Sequence, residues 1–264
     1  MHIIVTGLPR SGSSVLGALI DGLPGYLCLN SPEWHWSIAG RLADALPTAK
    51  WLVGEFHWQH KLAFEGAAIC DYRGKNGFPL FDGASINPLL PPQPSTIIRE
   101  NLPTDFSLAI RHTTLYTALL PALINFEWFR IIAVVRNPVD IILSWQHHPD
   151  HVPNAQSPRA LKELWPQAYQ LTTSSLPPLV RQVQLVEMFF QRYLEYRDFI
   201  RIIRYEDVIA MPERVSELVG SSSVSSHLGM LNPTHRVYPI ELVESIKQLL
   251  HQHATCCKAV YPNP

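Results

Sequence analysis

Residues 3–14 read Ile3-Ile4-Val5-Thr6-Gly7-Leu8-Pro9-Arg10-Ser11-Gly12-Ser13-Ser14. An apolar, β-branched run passes into a glycine-bounded loop and then into a helical pattern. A run of this kind suits a buried parallel strand. The glycine spacing is that of the phosphate loop of nucleotide triphosphatases, G-x-x-x-x-G-K-[ST]. Position 13 departs from it: Ser13 stands where a lysine would reach the β- and γ-phosphates, and the cation lies inside the loop, at Arg10. The stretch keeps an anion cradle and lacks the group that usually serves phosphoryl transfer.

The cradle has a physical basis. From Ser13 to Asp21 the pattern is helical, with Val15, Leu16, Leu19 and Ile20 on one face. The first N–H groups of a helix have no intrahelical partner, and the helix dipole draws anions to that end. Gly12 lets the backbone approach an oxyanion. Ser11, Ser13 and Ser14 add hydroxyls, and Arg10 adds a fork of charged donors. An ordinary strand-turn-helix with a serine-rich start would read the same way, so the loop alone leaves both readings open.

A second segment repeats the plan. Residues 130–145 form an apolar strand, 130–135, then Arg136-Asn137-Pro138, then a helix that carries Ser144. Proline suits the first helical turn, where its missing N–H costs nothing. An arginine at the carboxyl end of a strand lies where open α/β sheets bind ligands. Arg136 and Ser144 so placed could grip a second phosphate.

Together the two segments resemble the sulfotransferase family that uses 3′-phosphoadenosine-5′-phosphosulfate (PAPS). Pro9-Arg10-Ser11-Gly12-Ser13-Ser14 is similar to that family's 5′-phosphosulfate loop, which reads Pro-Lys-Ser-Gly-Thr-Thr in cytosolic enzymes and Pro-Arg-Ser-Gly-Thr-Thr in tyrosylprotein and many bacterial ones. Arg136 and Ser144 keep the eight-residue spacing of the 3′-phosphate motif. Arg204-Tyr205-Glu206-Asp207 resembles the strand end whose tyrosine lies by the adenine. Two departures stand out. Val15-Leu16 replaces the tryptophan that stacks on adenine in the cytosolic enzymes, and their C-terminal Arg-Lys-Gly segment is absent. Arg236, in Thr234-His235-Arg236, is the nearest analogue of a closing phosphate contact.

The resemblance implies a PAPS-dependent sulfotransferase that moves a sulfuryl group to a hydroxyl or amine. Arg10 would be the catalytic cation. Pro9, Arg10, Ser11, Gly12, Ser13, Ser14, Arg136, Ser144, Tyr205 and Arg236 would hold the donor. Two residues compete as base. His112 follows a strand, where the cytosolic family places Lys-x-His; in the other alignment His112 or Arg111 donates to the sulfuryl group instead. Glu33 follows the second strand, where the tyrosylprotein group has a glutamate, and it also suits a helix cap. The alternatives are a phosphate-loop nucleotide kinase or hydrolase, or a non-catalytic nucleotide-binding protein on the same fold. Against the kinase, strand 130–135 ends in arginine and not in a Walker-B acid.

Composition bounds the rest. The 264 residues, 47 % hydrophobic, suffice for one sizeable core, so a single domain over 1–264 is expected. A net charge of −1 points to neither nucleic acid nor membrane, so any anion site must be local. The four cysteines show no zinc or disulfide spacing, no metal is expected, and a cytoplasmic setting fits. Strands are expected at 2–6, 26–29, 107–111, 130–135 and 200–204. Helices are expected at 13–22, 35–46, 114–125, 138–147, 159–173, 179–197, 212–220 and 239–252. This pattern defines an α/β fold, a phosphate-loop-type parallel sheet of about five strands with helices on both faces. Some of the aromatics of residues 30–85, Trp34, Trp36, Trp51, Phe56, Trp58, Phe64, Tyr72, Phe78 and Phe81, are the expected lining for the acceptor, be it small molecule, carbohydrate or peptide.

Overall fold

Five strands, β1 (His2–Gly7), β2 (Tyr26–Asn30), β5 (Ser107–Arg111), β6 (Phe129–Val135) and β7 (Arg201–Arg204), form one sheet in the order β2-β5-β1-β6-β7. Every pairing in it is parallel. A separate antiparallel pair joins β3 (Ile69–Asp71) to β4 (Ser95–Ile97). The computed structural model describes residues 1–30, 44–71, 95–97, 102–146, 159–226, 228 and 237–262. All five expected strands are present within one residue of the expected bounds. The β3–β4 pair is an addition, because three-residue strands carry too little alternation to show in the sequence.

The central strands are buried on both faces, which explains their near-continuous apolar runs. Ile4, Leu108, Ile110, Ile131, Ala133 and Val135 point into one core cluster. Their neighbours Ile3, Val5, Ala109, Ile132 and Val134 point into the other. The period of two sends successive side chains to opposite faces. Helix α1 (Ser13–Asp21) covers the second face with Leu16, Leu19 and Ile20.

The larger core lies under α2 (Ala45–Phe64), α3 (Thr113–Leu123), α4 (Pro138–Gln146) and α7 (Pro178–Glu195). On α7, Val183, Val186 and Phe190 are buried and Leu194 is partly buried. The helix expected at 159–173 is two, α5 (Arg159–Leu164) and α6 (Pro166–Thr172). Pro166 has no N–H and disfavours helical backbone at Trp165. After β7 come α8 (Tyr205–Ala210) and α9 (Val215–Val219). The chain closes with α10 (Ile240–His253) and α11 (Thr255–Val260), whose Ile246, Leu250 and Cys257 join the larger core.

Helix α2 is the main difference from expectation. Residues 35–43 of the helix expected at 35–46 lie outside the described residues, and α2 begins at Ala45, capped by the Asp44 carboxylate on the Leu46 N–H at 3.1 Å. Its buried face mixes Leu52 and Phe56 with Thr48 and Gln59, while Trp58 and Phe64 are half exposed, which blurs the apolar period. Phe56 packs on Phe129 and Tyr116 inside the core. His57 and His60 lie by His2, Trp128 and Phe106, where the strands begin. These aromatics sit at the end of the sheet away from the 9–14 loop. Phe56 is a core residue and no acceptor lining, whereas Trp34, Trp36, Tyr72, Phe78 and Phe81 lie outside the described residues.

Candidate active site

Because the five strands are parallel, their carboxyl ends share one edge, and every chemically distinctive turn opens there. Asn30, Arg111, the 8–12 loop, Arg136 and Tyr205 follow or end β2, β5, β1, β6 and β7 respectively. Side chains more than a hundred residues apart in sequence therefore converge.

The loop after β1 is built by its backbone. Arg10 and Gly12 adopt positive φ angles of 73° and 92°. For arginine this conformation is strained, a state that clusters at functional sites. Gly12 is required twice over: a Cβ there would lie 2.1 Å from the Tyr205 ring. Gly12 caps α1, and no side chain supplies a capping bond. Ser11 Oγ is fully buried and has no hydrogen-bond partner among the described residues.

Three guanidinium groups surround this loop. Arg10 Nε donates to Ser144 Oγ on α4 at 2.9 Å. Arg111 Nε donates to Ser13 Oγ at 3.2 Å, and another of its nitrogens to Asn30 Oδ1. Arg136 lies over the Tyr205 ring, 4.9 Å from its centroid, and its Nη2 meets the Asp140 carboxylate at 3.3 Å. Arg136 Nε is buried without a hydrogen-bond partner among the described residues. Trp145 Nε1 donates to the Pro9 carbonyl at 2.9 Å, a second clasp between α4 and the loop. Burial raises the Tyr205 phenol pKa, against the pull of Arg136. A chain of net charge −1 thus gathers three arginines, Arg10, Arg111 and Arg136, at one edge of its sheet.

His112 lies at the same edge with its ring turned to a structural task. It caps α3: Nδ1 accepts from the Leu115 N–H at 3.2 Å. The residue is 8 % exposed, and burial, with Arg111 beside it, lowers its pKa to about 3. Above that pH the imidazole is neutral. Glu33 and Arg236 lie outside the described residues. Asn30 and Trp145 escaped sequence reading, since neither belongs to a recognisable motif of its own. Among the described residues no group of three His, Cys, Asp or Glu side chains could hold a metal ion, and no helix is long and apolar enough to cross a membrane.

The fold and the edge define an α/β protein whose parallel sheet gathers arginines and serines at its carboxyl ends. A family model of the sulfotransferase domain matches residues 1–220, and the chain belongs to that family. Its function is sulfuryl transfer, and a kinase or hydrolase on this architecture is not favoured. The sulfotransferase of Alicyclobacillus acidocaldarius shares the fold at 13 % identity, over 100 % of this chain and 96 % of that one, with a TM-score of 0.51. A sulfotransferase domain from the curacin biosynthetic pathway is 16 % identical over 92 % of this chain and 81 % of its own, with a TM-score of 0.47. The sulfotransferase domain of the Synechococcus PCC 7002 olefin synthase is 15 % identical over 98 % and 94 %, with a TM-score of 0.46. No curated protein sequence matches the chain.

Proposed function

We propose that this chain, acting as one domain over residues 1–264, transfers the sulfuryl group of PAPS to a hydroxyl or amine of a small molecule, carbohydrate or peptide. The observation that carries this reading is the Arg10–Ser144 hydrogen bond, which joins the two phosphate motifs, 134 residues apart, into one site. Beside it, Ser11 Oγ and Arg136 Nε are buried donors that an anion would satisfy. Buried polar groups without partners are costly, so they speak for a ligand.

In this reading the 5′-phosphosulfate lies on Pro9–Ser14 and the 3′-phosphate on Arg136 and Ser144. Ser144 can accept from Arg10 while its own hydroxyl hydrogen turns to the phosphate. Tyr205 borders the adenine, and Arg236 adds an outer contact. Sulfuryl transfer builds negative charge on the sulfuryl oxygens and on the bridging oxygen of the leaving phosphate. Arg10 and Arg111, fixed by Ser144, Ser13 and Asn30, are preorganised donors for that charge. Glu33 takes the acceptor proton. His112 holds the start of α3 and, through it, the direction in which Arg111 leaves β5. The thiols of Cys256 and Cys257 suit a reducing, cytoplasmic setting.

Calorimetry tests the donor. The desulfated product, 3′-phosphoadenosine-5′-phosphate, is expected to bind far more tightly than ATP with magnesium. The reverse order would sink the donor assignment.

A further inference from the structure

Glu206 presents a puzzle at this edge. A carboxylate beside a phosphate site opposes anion binding, yet Glu206 is held there from several sides. Its Oε1 accepts from the Asn137 N–H at 2.9 Å, and its Oε2 accepts from the Tyr261 hydroxyl at 2.6 Å. Arg204 lies 3.9 Å from the same Oε2 and 4.7 Å from the centroid of the Tyr261 ring. Tyr261 is 4 % exposed and meets Phe190 edge to face. Burial and the Glu206 charge raise the pKa of its phenol, so the hydroxyl stays a donor.

Asn137 is the residue between Arg136 and α4. Its own side chain caps that helix, with Oδ1 accepting from the Val139 N–H at 2.9 Å. The short run Arg204-Tyr205-Glu206 therefore holds the turn from two directions: the Tyr205 ring lies under the Arg136 guanidinium, and the Glu206 carboxylate holds the next peptide N–H. Tyr261 follows α11, beyond the 1–220 span of the family match.

We infer that Glu206 and Tyr261 are positioning residues, a hydrogen-bonded tether by which the C-terminal segment fixes the Arg136–Asn137 turn for the donor's 3′-phosphate. This rests on the proposed role of Arg136. The cost of a nearby negative charge is offset because the bond to Asn137 sets where Arg136 leaves the strand. A guanidinium fork binds an anion well only in a fixed orientation.

The test uses the full chain and three variants. Tyr261→Phe removes one oxygen and keeps the ring in the core. Glu206→Ala removes the tether. Glu206→Gln keeps a carbonyl acceptor for Asn137 and an amide for the Tyr261 oxygen. Two quantities are read: hydrogen exchange of the Asn137 amide without nucleotide, and the dissociation constant for 3′-phosphoadenosine-5′-phosphate. Tyr261→Phe is expected to speed Asn137 exchange and weaken binding by about 3- to 10-fold, and Glu206→Ala by about 10-fold or more. Glu206→Gln is expected to restore both to near the wild-type values. Unchanged Asn137 exchange in the first two variants overturns the tether. So does faster exchange with unchanged affinity, or failure of the glutamine to rescue. A wild-type protein that does not bind the nucleotide overturns the donor assignment instead, and Asn137 exchange then still decides whether the tether exists.

Discussion

The turns after β1 and β6 have the same plan, strand, turn and helix, and reach their helix starts by opposite means. After β1 the backbone does the work: two positive φ angles, a glycine cap, and no acid in the first turn of α1. After β6 the helix start is already satisfied. Asn137 caps it, Pro138 opens it, Asp140 lies in its first turn, and Glu206 holds the Asn137 N–H. The first turn can receive an anion on peptide N–H groups, and the second only through the side chains of Arg136 and Ser144. A shared outline therefore does not imply a shared way of binding, and the two sites should fail differently.

On the proposed reading the chemistry lies beside the first turn, with Glu33 as the base, and the second turn serves donor binding. Glu33→Gln is accordingly expected to lower turnover by about two to four decades, the range for loss of a general base, with little change in nucleotide affinity. His112→Asn is expected to cost less, since His112 caps a helix. With its pKa at about 3, His112 is neutral throughout the neutral range and supplies no rate limb there. A larger loss in His112→Asn than in Glu33→Gln would reverse the two roles.

The backbone cradle is open to a sharper attack. Gly12→Ala places a methyl group against Tyr205 and forces alanine into a left-handed conformation. The conformation alone costs about 1–2 kcal/mol, and overpacking adds about 1–3 kcal/mol. Urea denaturation should show that combined loss, with nucleotide binding abolished. An alanine variant of wild-type stability and affinity would mean that the loop is not the rigid cradle described.

At the second turn a single side chain should matter without loss of the fold. Arg136→Ala is expected to weaken nucleotide binding by about 10- to 150-fold, equivalent to a charge-assisted hydrogen bond of about 1.5–3 kcal/mol. Calorimetry on a variant of unchanged thermal midpoint decides this. The smallest effect concerns Asp140, which competes for Arg136 at 3.3 Å with its side chain 49 % exposed. A pair so exposed is worth about 0.2–1 kcal/mol. Asp140→Asn should therefore tighten nucleotide binding by a few-fold, and weaker binding would show that Asp140 orients Arg136 more than it competes for it.

The sequence by itself determined the sheet. Five short runs separated by helical periods leave few arrangements for a doubly covered parallel sheet, and the burial of the central strands on both faces is written in their composition. It also determined the two strand-turn-helix junctions, because Gly12 and Pro138 are residue types that local geometry selects. Tertiary structure decided the rest. Helix α2 was hidden because its buried face mixes polar and apolar groups, so burial, set by neighbouring elements, outweighs periodicity. Whether His112 faces a substrate or caps a helix depends on a rotamer fixed by packing, and whether Arg111 or Arg136 reaches the loop depends on which strands are adjacent. Strand order brought Asn30, Arg111, Arg136 and Tyr205 to one edge, and the packing of the last helices brought Tyr261 to Glu206. Those contacts join residues distant in the chain, and no local pattern encodes them.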